Sequence, residues 1–271
     1  MNLRYVILFP FLFFAGCVSQ YEALLSGPDA DLKYVKAMEY FEAKKYNRSK
    51  ELFDKIIYIY RGTPRDDSIQ YYLGLSHYYF GDFIEAEATF DQFTQMFPRS
   101  PFTEKARFLR IDCLYDMTYR WALDQLPTQK AISVINEFLY DYPKSTYVER
   151  CKEMMDELQE RLERKSFEGA KLYYKIEDYK AASYALKNVL RDNPDNRYRE
   201  DIMYYIVAAN YKFAVNSVVY RQRERFLTVI DEYYNFISEF PESKYGTELN
   251  SMFKRAQRAT VKSDEAVDIK N

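Results

Sequence analysis

The chain has 271 residues, 48% apolar and 30% charged, with only seven glycines, a balance that suits a long helical array and disfavours a loop-rich or sandwich fold. Its formal charge of -2 supplies no basic field and argues against nucleic acid as a partner. Aromatic residues are in excess, at 18% with 28 Tyr and 20 Phe. They suit the seams between helices, and they also suit peptide-binding surfaces, because a Tyr ring is apolar while its hydroxyl can stay wet.

Residues 1–16 carry one basic side chain, Arg4, an apolar run from Tyr5 to Phe14, and then Ala15 and Gly16. So short a run cannot span ~30 Å of hydrocarbon as a helix, so it reads as an export signal. Phe14-Ala15-Gly16-Cys17 resembles the bacterial lipoprotein box, in which the cysteine is acylated and becomes the first residue of the mature chain. The resemblance implies lipidation at Cys17, and Val18 in the second mature position points to the outer membrane. Residues 17–31, with Ser26-Gly27-Pro28, are expected to form a tether between lipid and folded body.

A first helix pair follows from about Asp31 to Arg61. Ala37 and Tyr40 lie on its first helix, Lys44-Lys45-Tyr46 form the turn, and Ser49, Phe53 and Ile56 line the second helix. The segment from Ser68 to Pro101 repeats that spacing. Apolar residues recur at helical intervals on both sides of Gly81-Asp82, Gly74 and Ala86 sit where two helices must approach closely, and Pro98 closes the unit. This is the tetratricopeptide pattern of ~34 residues, a hairpin that must stack on neighbours to bury its apolar face.

The closing signature appears as Phe97-Pro98-Arg99-Ser100, Tyr142-Pro143-Lys144-Ser145, Asn193-Pro194-Asp195-Asn196 and Phe240-Pro241-Glu242-Ser243. Proline stops one helix, and the Ser or Asn can cap the next. At one fixed spacing before the prolines stand Ala86/Phe90/Phe93, Ala131/Ile135/Phe138, Ala182/Leu186/Val189 and Val229/Tyr233/Phe236. The fold predicted is all-α, a right-handed α-solenoid of about five hairpins. Repeats one to three occupy 32–145, and repeats four and five with a capping helix occupy 146–258.

The third repeat holds an inserted loop, Asp116–Thr128, with Trp121, the only tryptophan. Thr146–Lys175 reads as one long helix, and Gly169 inside it suggests close packing against a neighbour. The fifth repeat is expected to break near Arg221-Gln222-Arg223-Glu224-Arg225. Residues 259–271 lack periodicity and are expected to be disordered.

No catalytic constellation stands out. His77, the only histidine, falls at an inward position of the repeat and reads as a packed core residue. Asp66-Asp67 and Asp231-Glu232 read as solvated surface. Cys113 and Cys151 lie in helical patterns without CxxC or a nearby His, so buried free thiols are expected and no metal site. Phosphate loops, GxSxG elbows and HExxH motifs are missing, so neither a cofactor nor an enzyme is expected. Binding remains, on the concave face built by the first helix of each repeat. In register, Tyr34, Met38 and Phe41 of the first repeat and Tyr71, Leu75 and Tyr78 of the second should line a peptide trough that reads aromatic side chains.

From Cys17 to about Arg258 the chain resembles the BamD (ComL-like) lipoproteins of the bacterial outer-membrane assembly machine. The resemblance is carried by the lipoprotein signal, the five repeats, the loop-bearing third repeat with KAISVINEFLYDYPKS, and EGAKLYYKIEDYKAASYALKNVLRDNPDN. It implies a periplasmic scaffold, lipid-anchored in the outer membrane. Its C-terminal repeats would bind the periplasmic domains of the BamA barrel, with Arg221, Arg223 and Arg225 as candidate contacts. Its N-terminal repeats would receive the C-terminal signals of unfolded outer-membrane proteins, which usually end in an aromatic residue. A periplasmic adaptor for a protease is the alternative. A Tol-Pal-type coordinator shares the closing signatures but carries a coiled coil, and no sustained heptads precede the first repeat here.

Overall fold

The computed structural model describes residues 20–268, and side chains as far as Val261. The expected signal peptide and Cys17 lie outside the described residues. All regular structure among those residues is helical: α1 (Gln20–Ser26), α2 (Ala30–Glu42), α3 (Tyr46–Ile56), α4 (Asp66–Phe80), α5 (Phe83–Met96), α6 (Thr103–Asp116), α7 (Leu126–Asp141), α8 (Val148–Lys175), α9 (Tyr179–Asp192), α10 (Arg199–Val215), α11 (Val219–Glu239) and α12 (Gly246–Asp268). No described helix is long and apolar enough to cross a membrane.

The chain divides into two compact units between Met117 and Thr118. In the first, α2 to α6 pack serially, each on the next, and α1 lies on α3. In the second, α7 to α12 do the same, and α10 also touches α8 and α12. Serial hairpins that touch their neighbours on both sides are the packing of an α-solenoid.

Both repeat signals have a visible physical basis. Gly74 is where α4 meets α5: a Cβ there would stand 2.7 Å from the Phe90 ring. Phe90 and Phe93 are fully buried beside Ala86, each contributing ~1.5–3 kcal/mol of burial. In the turns, the residue that must turn left-handed is Gly81 in the second repeat (φ 93°), but Lys44 and Glu177 take the same place in the first and fourth. Each is followed by a backbone bond back to the helix before it, Lys45 N–H to Tyr40 O, Asp82 N–H to His77 O and Asp178 N–H to Tyr173 O, at 2.8–3.0 Å. This C-terminal cap is shared although only one repeat uses glycine for it.

The Ser or Asn of each closing signature acts just ahead of the next helix. It accepts the backbone N–H two residues on: Phe102 to Ser100 Oγ at 3.3 Å, Tyr147 to Ser145 Oγ at 3.1 Å, Tyr198 to Asn196 Oδ1 at 2.9 Å and Tyr245 to Ser243 Oγ at 3.0 Å. The donor is aromatic each time, and three of the four rings stack on the first helix of the preceding repeat. Phe102 lies on Tyr71 (4.5 Å, 8°), Tyr198 on Phe167 (5.3 Å, 20°) and Tyr245 on Tyr204 (4.0 Å, 18°). Part of the aromatic excess therefore joins repeat to repeat. Beside Phe167, burial and the Glu160 carboxylate push the Tyr198 phenol up to about 12.

Several expectations are corrected. The tether is helical from Gln20: Tyr21 donates to Glu51 Oε2 at 2.6 Å, lies edge-on to Tyr40, and packs with Leu24 and Leu25 on the first repeat's core. The boundary between units falls at the third repeat's insertion, ahead of residue 145. That loop is held by the long α8, where Arg161 donates to Thr118, Lys165 donates to the Leu123 carbonyl, and the Arg164 guanidinium lies 4.9 Å over Trp121. The fifth repeat breaks at Asn216–Val218, so Arg221 to Arg225 lie inside α11. The expected disordered tail is helical through Asp268, as a continuation of the amphipathic α12. Asp66 is buried, and accepts from Gly62 N–H at 2.7 Å and Gln70 Nε2 at 2.8 Å.

Gly169 is exposed, with nothing within 4 Å of an added Cβ. Close approach is therefore not its reason. Gly169→Ala is expected to raise unfolding stability by about 0.5–1 kcal/mol through helix propensity, read as a higher urea midpoint at unchanged slope.

Candidate functional site

The six residues expected along the trough separate into three environments. Tyr71 and Leu75 are core residues, 3% and 5% exposed. The Tyr71 ring is enclosed by Tyr72, Phe90, Phe93 and Phe102, so neither residue lines a surface. The reason is the inter-repeat stack: Phe102 covers the side of α4 that would otherwise open to solvent.

Tyr34 and Met38 are half-buried against the first repeat's core. Tyr34 meets Phe53 edge-on, and the Arg65 guanidinium covers it at 5.0 Å. That guanidinium is itself fixed on Asp31 at 2.7 Å, which also accepts the Tyr60 hydroxyl at 2.6 Å. These bonds hold the Asp31 carboxyl below its ordinary range.

Phe41 and Tyr78 belong to a third group, an aromatic cluster where α2 and α4 end. Phe41 meets Tyr72 at 5.1 Å, Tyr46 at 5.6 Å and Tyr79 at 6.1 Å, and Tyr46 stacks on Tyr79 at 5.1 Å. Tyr78 packs on Tyr79 and Phe83 while its hydroxyl donates to Asp112. Burial first, and the Asp112 carboxylate second, push that phenol well above its ordinary value.

Two residues outside the expected six are open at this helix end: Tyr79, a member of the cluster, at 49% exposure, and its chain neighbour Phe80 at 48%. Lys50 Nζ stands 3.9 Å over the Phe80 ring and pairs with Asp82. A sequence signal for them existed: the run His77-Tyr78-Tyr79-Phe80 before Gly81 places consecutive rings at a helix end, and one helix face cannot bury them all. A half-exposed Tyr79 ring held by the partly buried Phe41, Tyr46 and Tyr78 offers edge and face contacts to an incoming aromatic side chain.

In the second unit the three arginines differ. Arg221 is exposed and pairs with Glu224 at 3.2 Å, Arg223 is exposed, and Arg225 is half-buried, with its guanidinium 3.9 Å over the Phe213 ring and a bond to Ser217. Arg225 is thus engaged within its own hairpin.

His77 is 8% exposed, with Nδ1 3.7 Å from Asp82 Oδ2. Cys113 and Cys151 are free and buried. Burial, with Asp112 and Asp116, pushes the Cys113 thiol far up, which leaves it protonated and a poor nucleophile.

Comparison with known proteins gives one family, described as outer membrane lipoprotein (YfiO), which matches residues 28–225 and again 166–264. The outer membrane protein assembly factor BamD of Caulobacter vibrioides is 22% identical over 144 residues, 53% of this chain and 47% of that protein. The match thus spans about half the length of that relative. Among solved structures, the TPR2AB domain of yeast Sti1 in its pHSP90 complex superposes with a TM-score of 0.40 at 13% identity, covering 84% of this chain and 98% of that one. The TPR domain of P58(IPK) superposes with a TM-score of 0.40 at 14% identity, covering 86% and 66%.

Proposed function

Because the chain belongs to the YfiO family of outer membrane lipoproteins, we propose that it is a lipid-anchored scaffold of outer-membrane β-barrel assembly, acting by binding without chemistry of its own. Cys17 carries the acyl anchor and holds the folded body at the periplasmic face. The second unit, including Arg221 and Arg223, engages the periplasmic domains of a BamA-like barrel insertase. The first unit receives the aromatic-ended C-terminal segments of unfolded outer-membrane proteins at the ring cluster of Phe41, Tyr78, Tyr79 and Phe80.

The observation that carries this reading is the family match, which runs through nearly all of the folded body. The half-exposed rings at the end of α4 suit the client: a chain end with an aromatic side chain gains ~0.5–1.5 kcal/mol per ring pair beyond the area it buries.

A pull-down from detergent-solubilised envelopes tests the scaffold. Recovery of a large barrel protein with repeated periplasmic domains is the expected result. Recovery of a protease complex without the barrel would replace the scaffold with the adaptor reading.

The peptide site has its own test. Tyr79→Ala with Phe80→Ala is expected to reduce photocrosslinking to a barrel's C-terminal peptide about tenfold, with a urea midpoint close to wild type because both rings are half in water. Unchanged crosslinking would remove these rings from the site.

A further inference from the structure

In the second unit, α9, α10 and α11 leave a continuous groove, about 460 Å³ beside α9 and about 280 Å³ where the first turns of α11 close it. Lys180, Asn210 and Phe213 line both parts. We propose that this groove is a docking site for an extended acidic polypeptide segment of a partner protein; the inference rests on the reading of the second unit as the partner-binding half, and it names the chemistry of the segment bound.

Charge is the first argument. The walls carry four basic side chains, Lys180, Lys187, Arg221 and Arg225, against two acidic ones, Asp178 and Glu224, in a chain whose formal charge is -2. Five of these charges are already engaged within the chain: Asp178 caps α9 by accepting Ala181 N–H at 3.0 Å, Lys187 pairs with Glu232 on α11, Arg221 pairs with Glu224 at 3.2 Å, and Arg225 lies over Phe213 and bonds Ser217. Lys180 is exposed and has no ion pair among the described residues, so an incoming carboxylate meets no competitor there. Both α9 and α11 begin at this groove, and the positive ends of their dipoles act in the same direction.

Depth is the second argument, and it selects a polypeptide over a lipid surface. Asn210 sits on the groove floor, 9% exposed. Its Nδ2 is committed to the Ile206 carbonyl at 3.0 Å, and its Oδ1 accepts no hydrogen bond among the described residues. A largely buried acceptor shared by both parts of the groove is reached by the backbone N–H of an extended chain, whereas a flat array of headgroups stays at the rim.

The rim gives the third argument. Tyr184 (69% exposed), Val219 (82%) and Tyr220 (81%) border the basic residues, so the preferred segment carries an apolar side chain next to its acidic ones. Acidic-segment recognition by a basic cluster beside an apolar contact is a recurrent mode of peptide binding.

The test uses the purified full chain and a fluorescent acetylated peptide of Asp, Glu and Gly with one central Phe, beside a copy in which Lys replaces the acidic residues. The acidic peptide is expected to bind at least about tenfold tighter than the Lys copy, a difference of ~1.4 kcal/mol, and to weaken as salt rises. Lys180→Glu with Arg221→Glu should weaken it about tenfold at unchanged thermal unfolding, since both side chains are exposed. Asn210→Ala, checked for folding by circular dichroism, should weaken both peptides alike. Equal binding of the two peptides, or charge reversal without effect, overturns the proposal. So does binding to phosphatidylglycerol vesicles with no peptide affinity. In the envelope pull-down, recovery of the barrel protein by both wild type and the charge-reversed chain removes the groove and keeps the scaffold; recovery by neither removes the scaffold itself.

Discussion

Tyr71→Ala is expected to destabilise the first unit by about 3–5 kcal/mol, the range for deleting a large aromatic from a packed core. The ring is 3% exposed, faces Phe90 and Phe93 of its own hairpin, and stacks at 4.5 Å on Phe102 of the next repeat. Its loss opens a cavity where the second repeat meets the third, so Phe102 at the start of α6 loses its stacking partner along with the local core. With domain stabilities near 5–15 kcal/mol and urea slopes of ~1–3 kcal/mol per molar, the first transition should fall by roughly 1–3 M. Tyr79→Ala is the matched control, expected within about 1 kcal/mol of wild type because half its surface is in water. A small stability change for Tyr71→Ala with a selective loss of peptide affinity would place the residue on a binding surface after all.

Cys17→Ala is expected to move the protein from the membrane to the soluble fraction of an envelope preparation. Each buried methylene of an acyl chain contributes ~0.8 kcal/mol, a single chain binds only marginally, and stable anchoring needs a second signal. No described helix supplies that signal by spanning the bilayer. A chain that lacks the proposed lipid is expected to keep surface contacts that salt should release. An undiminished, salt-resistant membrane fraction in the variant would show that the anchor lies elsewhere. The anchor is also close to the folded body. α1 begins at Gln20 and is tied to α3 through Tyr21 and Glu51, so only a few residues, at ~3.3–3.6 Å each, separate the proposed acylated cysteine from packed structure.

The local grammar of this protein is written in its sequence. The Pro-x-Ser closings, the Gly74/Ala86 approach and the residues at fixed spacing before each proline each describe contacts within one hairpin or across one turn. The structure places Ala86, Phe90, Phe93, Ala131, Ile135, Phe138, Ala182, Leu186, Val229 and Phe236 in the core. The single long α8 was legible for the same reason, since helical periodicity and scarce breakers act over neighbouring residues. Even where the turn residue varied, as with Lys44 and Glu177 in place of glycine, the flanking helices enforced the same cap.

Which aromatic rings stay open to a partner was a decision of the tertiary structure alone. Tyr71 and Tyr79 carry the same side chain on the same helix, yet one is core and the other half in solvent: Phe102, far along the chain, closes a shell of four rings around the first, while the rings of Phe41, Tyr46 and Tyr78 leave half of the second open. The basic groove likewise depends on bringing the starts of α9 and α11 together over α10, across a long stretch of sequence. Periodicity reports which side of a helix turns inward, because that side is fixed by the helix itself. It does not report how far inward extends, because that is fixed by the ring the next repeat lays on top.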